Sequence, residues 1–121
     1  MTPARLLLVN GSLVLAAGVV CGVPFYLAIV FEWSARKLGA WRVAHATLIA
    51  DGLLLLVTGI LIPGLALPAG LAGLLGWSLA ISAWAFVFAL AGGAWVGVRG
   101  LSPVPLGTAT LFFLGHAVGA A

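Results

Sequence analysis

Trp41-Arg42-Val43-Ala44-His45 leads through Asp51-Gly52 into Leu53-Leu54-Leu55-Leu56-Val57. The run from about residue 39 to residue 62 is long enough to cross a hydrocarbon layer, which takes about 20 apolar residues. It carries an arginine, a histidine and one of only two acidic residues in the chain. A membrane helix holding such groups is the natural place to look for chemistry.

The rest of the chain has the same apolar character. Of 121 residues, 64% are hydrophobic and 6% charged. A soluble domain is about a quarter charged. A chain this apolar cannot cover a globular surface with polar groups, so lipid must be the solvent for most of it. Five basic residues and a net charge of +3 do not make a nucleic-acid surface. They read as interface anchors and topology signals. The single cysteine, Cys21, excludes an intrachain disulfide and a thiolate cluster. It reads as a small buried hydrophobe.

Polar breaks divide the chain. The first apolar segment runs from about Arg5 to Phe31 and imitates a signal peptide. Everything after it is equally apolar, so it reads as a first membrane helix. Glu32 through Lys37 form the first break, with Glu32 and Arg36 spaced as a solvated helical pair. Trp33 and Trp41 flank that break as interface aromatics. Pro63-Gly64 and Pro68-Ala69-Gly70 mark a second turn, and Arg99 through Pro103 a third. The expected fold is all-α: one integral membrane domain over residues 1–121. Helices are expected over about 5–31, 39–62, 71–98 and 105–121, in an up-down four-helix bundle. Gly73, Gly76, Ala80 and Ala83 are spaced to mark a helix–helix contact. Charge counting places loops one and three in the cytoplasm.

Ionisable groups inside a membrane are costly and therefore candidates for function. They are Tyr26, His45, Asp51 and His116. With segment two starting near Gly39, Tyr26 and His45 share a layer near the loop-one face. Asp51 then lies about 9 Å deeper and about 120° around the helix from His45. Trp41 and Arg42 precede His45 by one turn and share its face. His45 either hydrogen-bonds to a neighbouring helix or ligates a metal. No second group of ligands completes a zinc site. That favours haem, which needs only one or two protein ligands. Arg42 either snorkels to the interface or neutralises a haem propionate. Asp51 either pins helices together, relays protons or orients a substrate. Thr58, Ser78 and Ser82 read as hydroxyls satisfied within their helices.

At these residues the chain resembles the styrene oxide isomerase family. Trp41-x-x-Ala44-His45 followed by Asp51-Gly52 is similar to that family's Trp-x-x-Ala-His and Asn-Gly at the same spacing. Asn10-Gly11, Gly22-Val23, and Leu74-Leu75-Gly76 with Trp84 extend the likeness through three segments. The resemblance implies a homotrimer in a bacterial inner membrane, with haem b held between subunits. It implies His45 as the axial iron ligand. It also implies a ferric haem that acts as Lewis acid on a small apolar epoxide and drives rearrangement to an aldehyde. The family's asparagine is Asp51 here, its helix-three tyrosine falls at Leu90, and its helix-three carboxylate falls at Ser82. Tyr26 is the one phenol in the chain that would replace that tyrosine. Other readings stay open: a haem protein for electron transfer or sensing, a four-helix transporter coupled to protons through Asp51, and a structural subunit of a larger complex.

Overall fold

The computed structural model describes residues 1–96 of the chain. Helix α1 spans Pro3–Val30, α2 spans Ala35–Leu61 and α3 spans Ala69–Phe86. A short 3₁₀ turn, Ile62–Leu65, follows α2. Beyond Phe86, α3 widens into a π turn at Val87–Gly92 and closes with one α-helical turn, Gly93–Val96. No strand occurs among the described residues. All three long helices are apolar enough to cross a membrane. The described residues are helical, and the protein is an integral membrane protein. The fourth segment expected over 105–121, with His116, and the third break, with Arg99, lie outside the described residues.

The helix ends follow local chemistry. Thr2 caps α1 by accepting a hydrogen bond from the Arg5 amide at 3.2 Å, and Pro3 fills the first helical position. At the other end, Glu32 adopts φ 51° and Trp33 N–H reaches back to the Ala28 carbonyl at 3.0 Å. This left-handed residue and its long-range hydrogen bond form a Schellman closure. Ser34 caps α2 by accepting from the Lys37 amide at 3.3 Å.

That cap corrects two expectations. Helix α2 begins at Ala35, about four residues before Gly39, so Arg36 and Lys37 belong to its first turn. Glu32 lies outside both helices in a left-handed turn, so it and Arg36 do not share a helix face. His45 therefore sits about ten residues, or roughly 15 Å, into α2. It is deeper than a helix starting at Gly39 would place it.

Packing follows a seven-residue repeat. Leu7, Val14, Cys21 and Ala28 are buried along α1, and Trp41, Leu48 and Leu55 along α2, continued by Ile62 in the 3₁₀ turn. Such a repeat belongs to left-handed packing of nearly antiparallel neighbours. Beside these rows run two others: Gly11, Gly18 and Phe25 on α1, and His45, Gly52 and Gly59 on α2. A Cβ at Gly11 would lie 2.9 Å from Leu55 Cβ, one at Gly18 2.7 Å from the Ile49 amide nitrogen, and one at Gly52 2.6 Å from the Leu15 amide nitrogen. The two backbones are therefore in direct contact. Without a hydrophobic driving force in lipid, such close packing is what holds helices together.

Helix α3 packs through Ala72, Gly76, Ala80 and Ala83, all buried. Three of these are small residues expected at a contact. Gly73 is not at one, for a Cβ there would meet nothing within 4 Å. One polar link also joins α3 to α1: Trp84 Nε1 donates to Asn10 Oδ1 at 2.9 Å, while Asn10 Nδ2 donates to the Leu6 carbonyl at 2.8 Å. The outward faces carry Leu13, Val20, Leu54 and Trp77, each more than half exposed. Exposed surface of that kind is stable only against lipid or further protein.

Candidate functional site

His45 is the one ionisable side chain aimed across the α1–α2 seam among the described residues with a hydrogen bond to show for it. Its Nδ1 lies 2.8 Å from the carbonyl oxygen of Gly18. A backbone carbonyl only accepts, so Nδ1 carries the proton and Nε2 keeps its lone pair. No hydrogen bond engages Nε2 among the described residues. The ring is half-buried. Phe25 stacks beside it, with centroids 5.9 Å apart and planes 15° from parallel. The imidazole is thus held by one hydrogen bond, one aromatic neighbour and the bare surface of Gly22.

Arg42 and Trp41 lie one turn before His45 but do different things. The Arg42 guanidinium sits over the ring of the same aromatic residue, with Cζ 5.9 Å from the Phe25 centroid. The side chain is exposed, so it remains available to an anion. Trp41 is buried at 7% exposure. It is a core residue of the seam rather than an interface aromatic. It also walls a cleft of about 160 Å³ with Pro24, Trp33, Lys37, Ala94 and Trp95. Lys37 Nζ rests 5.7 Å from the Trp33 ring centroid.

Asp51 lies on a different flank of α2. Its neighbour Gly52 packs against Leu15 of α1. A position six residues after His45 lies about 120° around the helix, so Asp51 does not share the face of His45. It is half-buried, and its Oδ2 is buried with no hydrogen-bond partner. Buried polar atoms nearly always find partners, so this oxygen stands out. Tyr26 follows Phe25 but is turned outward, at 64% exposure. Within the chain it is Phe25, not Tyr26, that faces His45. Ser82 is half-buried on α3. Leu90 lies inside the π turn and packs against the hydrophobic core. Thr58 donates to the Leu54 carbonyl at 2.8 Å, as expected of a hydroxyl satisfied within its helix.

The arrangement therefore offers one open nitrogen ligand, one free cation a turn away and one unpartnered carboxyl oxygen further along. No three His, Cys, Asp or Glu side chains converge among the described residues. This donor set fits a group that brings most of its own ligands and takes one axial nitrogen from protein. Sequence reasoning missed Gly18, Gly22 and Phe25. The signal was present as Gly18-Val19-Val20-Cys21-Gly22, a Gly-x-x-x-Gly spacing that marks close helix approach in membranes.

The family model for styrene oxide isomerase matches residues 3–121. No curated protein and no solved structure matches the chain.

Proposed function

The chain belongs to the styrene oxide isomerase family, whose model matches nearly its whole length, and from that premise we propose that it binds haem b and isomerises a small apolar epoxide to an aldehyde. The observation that carries the haem reading is the Nδ1 hydrogen bond of His45 to Gly18, which leaves Nε2 free to ligate. When bound, ferric haem would supply a Lewis acid for the epoxide oxygen, and the rearrangement needs no external oxidant because hydrogen shifts within the substrate.

The chain's own residues have separable tasks. His45 would hold the haem iron through Nε2. Arg42, exposed beside Phe25, would be the cation for a propionate. Trp41 fixes the start of the seam by its burial. Asp51 presents an unengaged carboxyl oxygen that orients a substrate or passes a proton. The outward phenol of Tyr26 would reach a substrate only at a surface between copies, in keeping with a homotrimer. The apolar helices keep water from the site, as acid-sensitive epoxide chemistry requires. The proposed setting is a bacterial inner membrane.

A second reading has its own observation. Leu90 packs into the core where the family resemblance places a tyrosine. An aliphatic side chain there cannot donate a proton or a hydrogen bond. That favours a haem protein without isomerase turnover, serving electron transfer or sensing.

An absorption spectrum of the detergent-solubilised, haem-supplemented protein tests the first step. A Soret band that His45→Ala abolishes is the expected result. A band that persists in the variant would remove His45 as ligand, and no band in the wild-type protein would end both haem readings. Aldehyde formation from an aryl epoxide then separates the isomerase from the second reading.

A further inference from the structure

The Gly18 carbonyl is an unusual partner for a side chain. In an α-helix it already receives the amide of residue 22. Its second lone pair is normally covered, because each helical Cβ leans back over the turn before it. A side chain at position 22 would lie over the carbonyl of position 18. Gly22 has none. A Cβ built there would stand 3.0 Å from both Cε1 and Nδ1 of His45. The ring thus lies against the space that a Cβ would fill, so a side chain there would push on the ring as it holds the carbonyl at 2.8 Å.

Gly18 contributes differently. Its missing Cβ would lie 2.7 Å from the Ile49 amide nitrogen and 3.0 Å from the Leu48 carbonyl carbon. Its role is to let the α2 backbone come close enough for His45 to reach. The two glycines, one turn apart, divide the task between them: one brings the helix in, and the other uncovers the acceptor. Phe25 closes the seat from one side.

We propose that Gly18 and Gly22 are positioning residues that seat His45 in one tautomer, with Nδ1 protonated and Nε2 keeping its lone pair. The seat itself follows from the fold, whereas its purpose rests on the haem reading above. A carbonyl that accepts from Nδ1–H increases electron density at Nε2 and makes it a stronger iron ligand. The seat thereby tunes the metal without touching it.

The test begins on the haem-free protein. Nitrogen-15 NMR of ring-labelled histidine in detergent micelles reads the tautomer directly, with the second histidine assigned through His116→Gln. The expected result is a protonated Nδ1 and a bare Nε2 at His45. A protonated Nε2, or a mixture of tautomers, would overturn the seat. Gly22→Ala is expected to release the ring and give mixed tautomers. In the haem-loaded protein it should lower the ferrous iron–histidine stretching frequency, make the ferric/ferrous potential more positive and weaken haem binding by about ten- to a hundredfold. Gly11→Ala is the control. It crowds the same seam, with a Cβ 2.9 Å from Leu55 Cβ, but does not meet His45. Equal changes in both variants would mean general packing damage and would sink the assignment. If Gly22→Ala does not fold, the wild-type tautomer still decides. If the tautomer is as expected but no haem binds, the seat stands and the haem reading falls.

Discussion

The seam between α1 and α2 and the seam that α3 makes with them are built on different principles. The first is backbone against backbone. Three glycines there, Gly11, Gly18 and Gly52, have no room for even one carbon, with Cβ positions 2.6–2.9 Å from neighbouring atoms. The second is side chain against side chain. Gly76 there would place a Cβ 3.5 Å from Pro3 and Leu6, an ordinary contact. The histidine lies on the first seam, and the π turn lies on α3. A ligand must be held to within about half an ångström to be useful. Contact between two backbones supplies that precision, because no rotamer intervenes. The α3 seam has room at Gly76, and the π turn lies further along the same helix.

The largest effect should come from crowding the first seam. Gly52→Ala would push a Cβ to 2.6–2.7 Å from the Leu15 amide nitrogen, Cα and Cβ. Two of these are backbone atoms that cannot rotate away, so the helices must part. We expect a loss of about 3 kcal/mol, at the upper end for overpacked sites. Unfolding of the detergent-solubilised protein in increasing SDS would measure it. A loss below about 0.5 kcal/mol would mean that the seam is loose and that the difference between the seams is not real.

A smaller effect is expected at the polar link of the second seam. Trp84→Phe removes the indole donor to Asn10 Oδ1 while keeping an aromatic ring. Asn10 keeps its own hydrogen bond to Leu6. Hydrogen bonds between membrane helices average about 0.6 kcal/mol, and that is the loss expected in the same assay. A loss several times larger would make this link a main fastener of α3.

How far the sequence revealed this molecule differs between the same two regions. Apolar run length located all three described helices to within a few residues, because a membrane requires an uninterrupted stretch and little else. The start of α2 was missed because Ser34, a capping residue, sits among charged neighbours that read as loop. His45 was legible as a rare ionisable group in hydrocarbon. Its surroundings were not. Phe25 and Tyr26 are adjacent aromatics on one helix, and only the rotation of α1 against α2 decides which one meets the ring. Gly18 and Gly22 were visible as glycines, but a bare carbonyl is a property of two helices together. On α3, Gly73 and Gly76 were both candidates for a contact, and spacing alone cannot choose between neighbours three residues apart.

Gly76→Ala gives the smallest expected change and the sharpest test of the contrast. Position 76 is buried, as Gly52 is, so burial alone predicts similar damage from the two substitutions. Distance predicts otherwise. The new carbon at 76 would find Leu6 Cδ2 and Pro3 Cβ at 3.5 Å, the separation of atoms in favourable contact. Alanine also has a better helical propensity than glycine by up to about 1 kcal/mol in water. The two gains oppose only a slight crowding. We expect stability within about 0.5 kcal/mol of wild type, on the stabilising side. If Gly76→Ala were as damaging as Gly52→Ala, α3 would be held as tightly as α2. The π turn would then be a strained insertion in a rigid seam rather than an accommodation in a loose one.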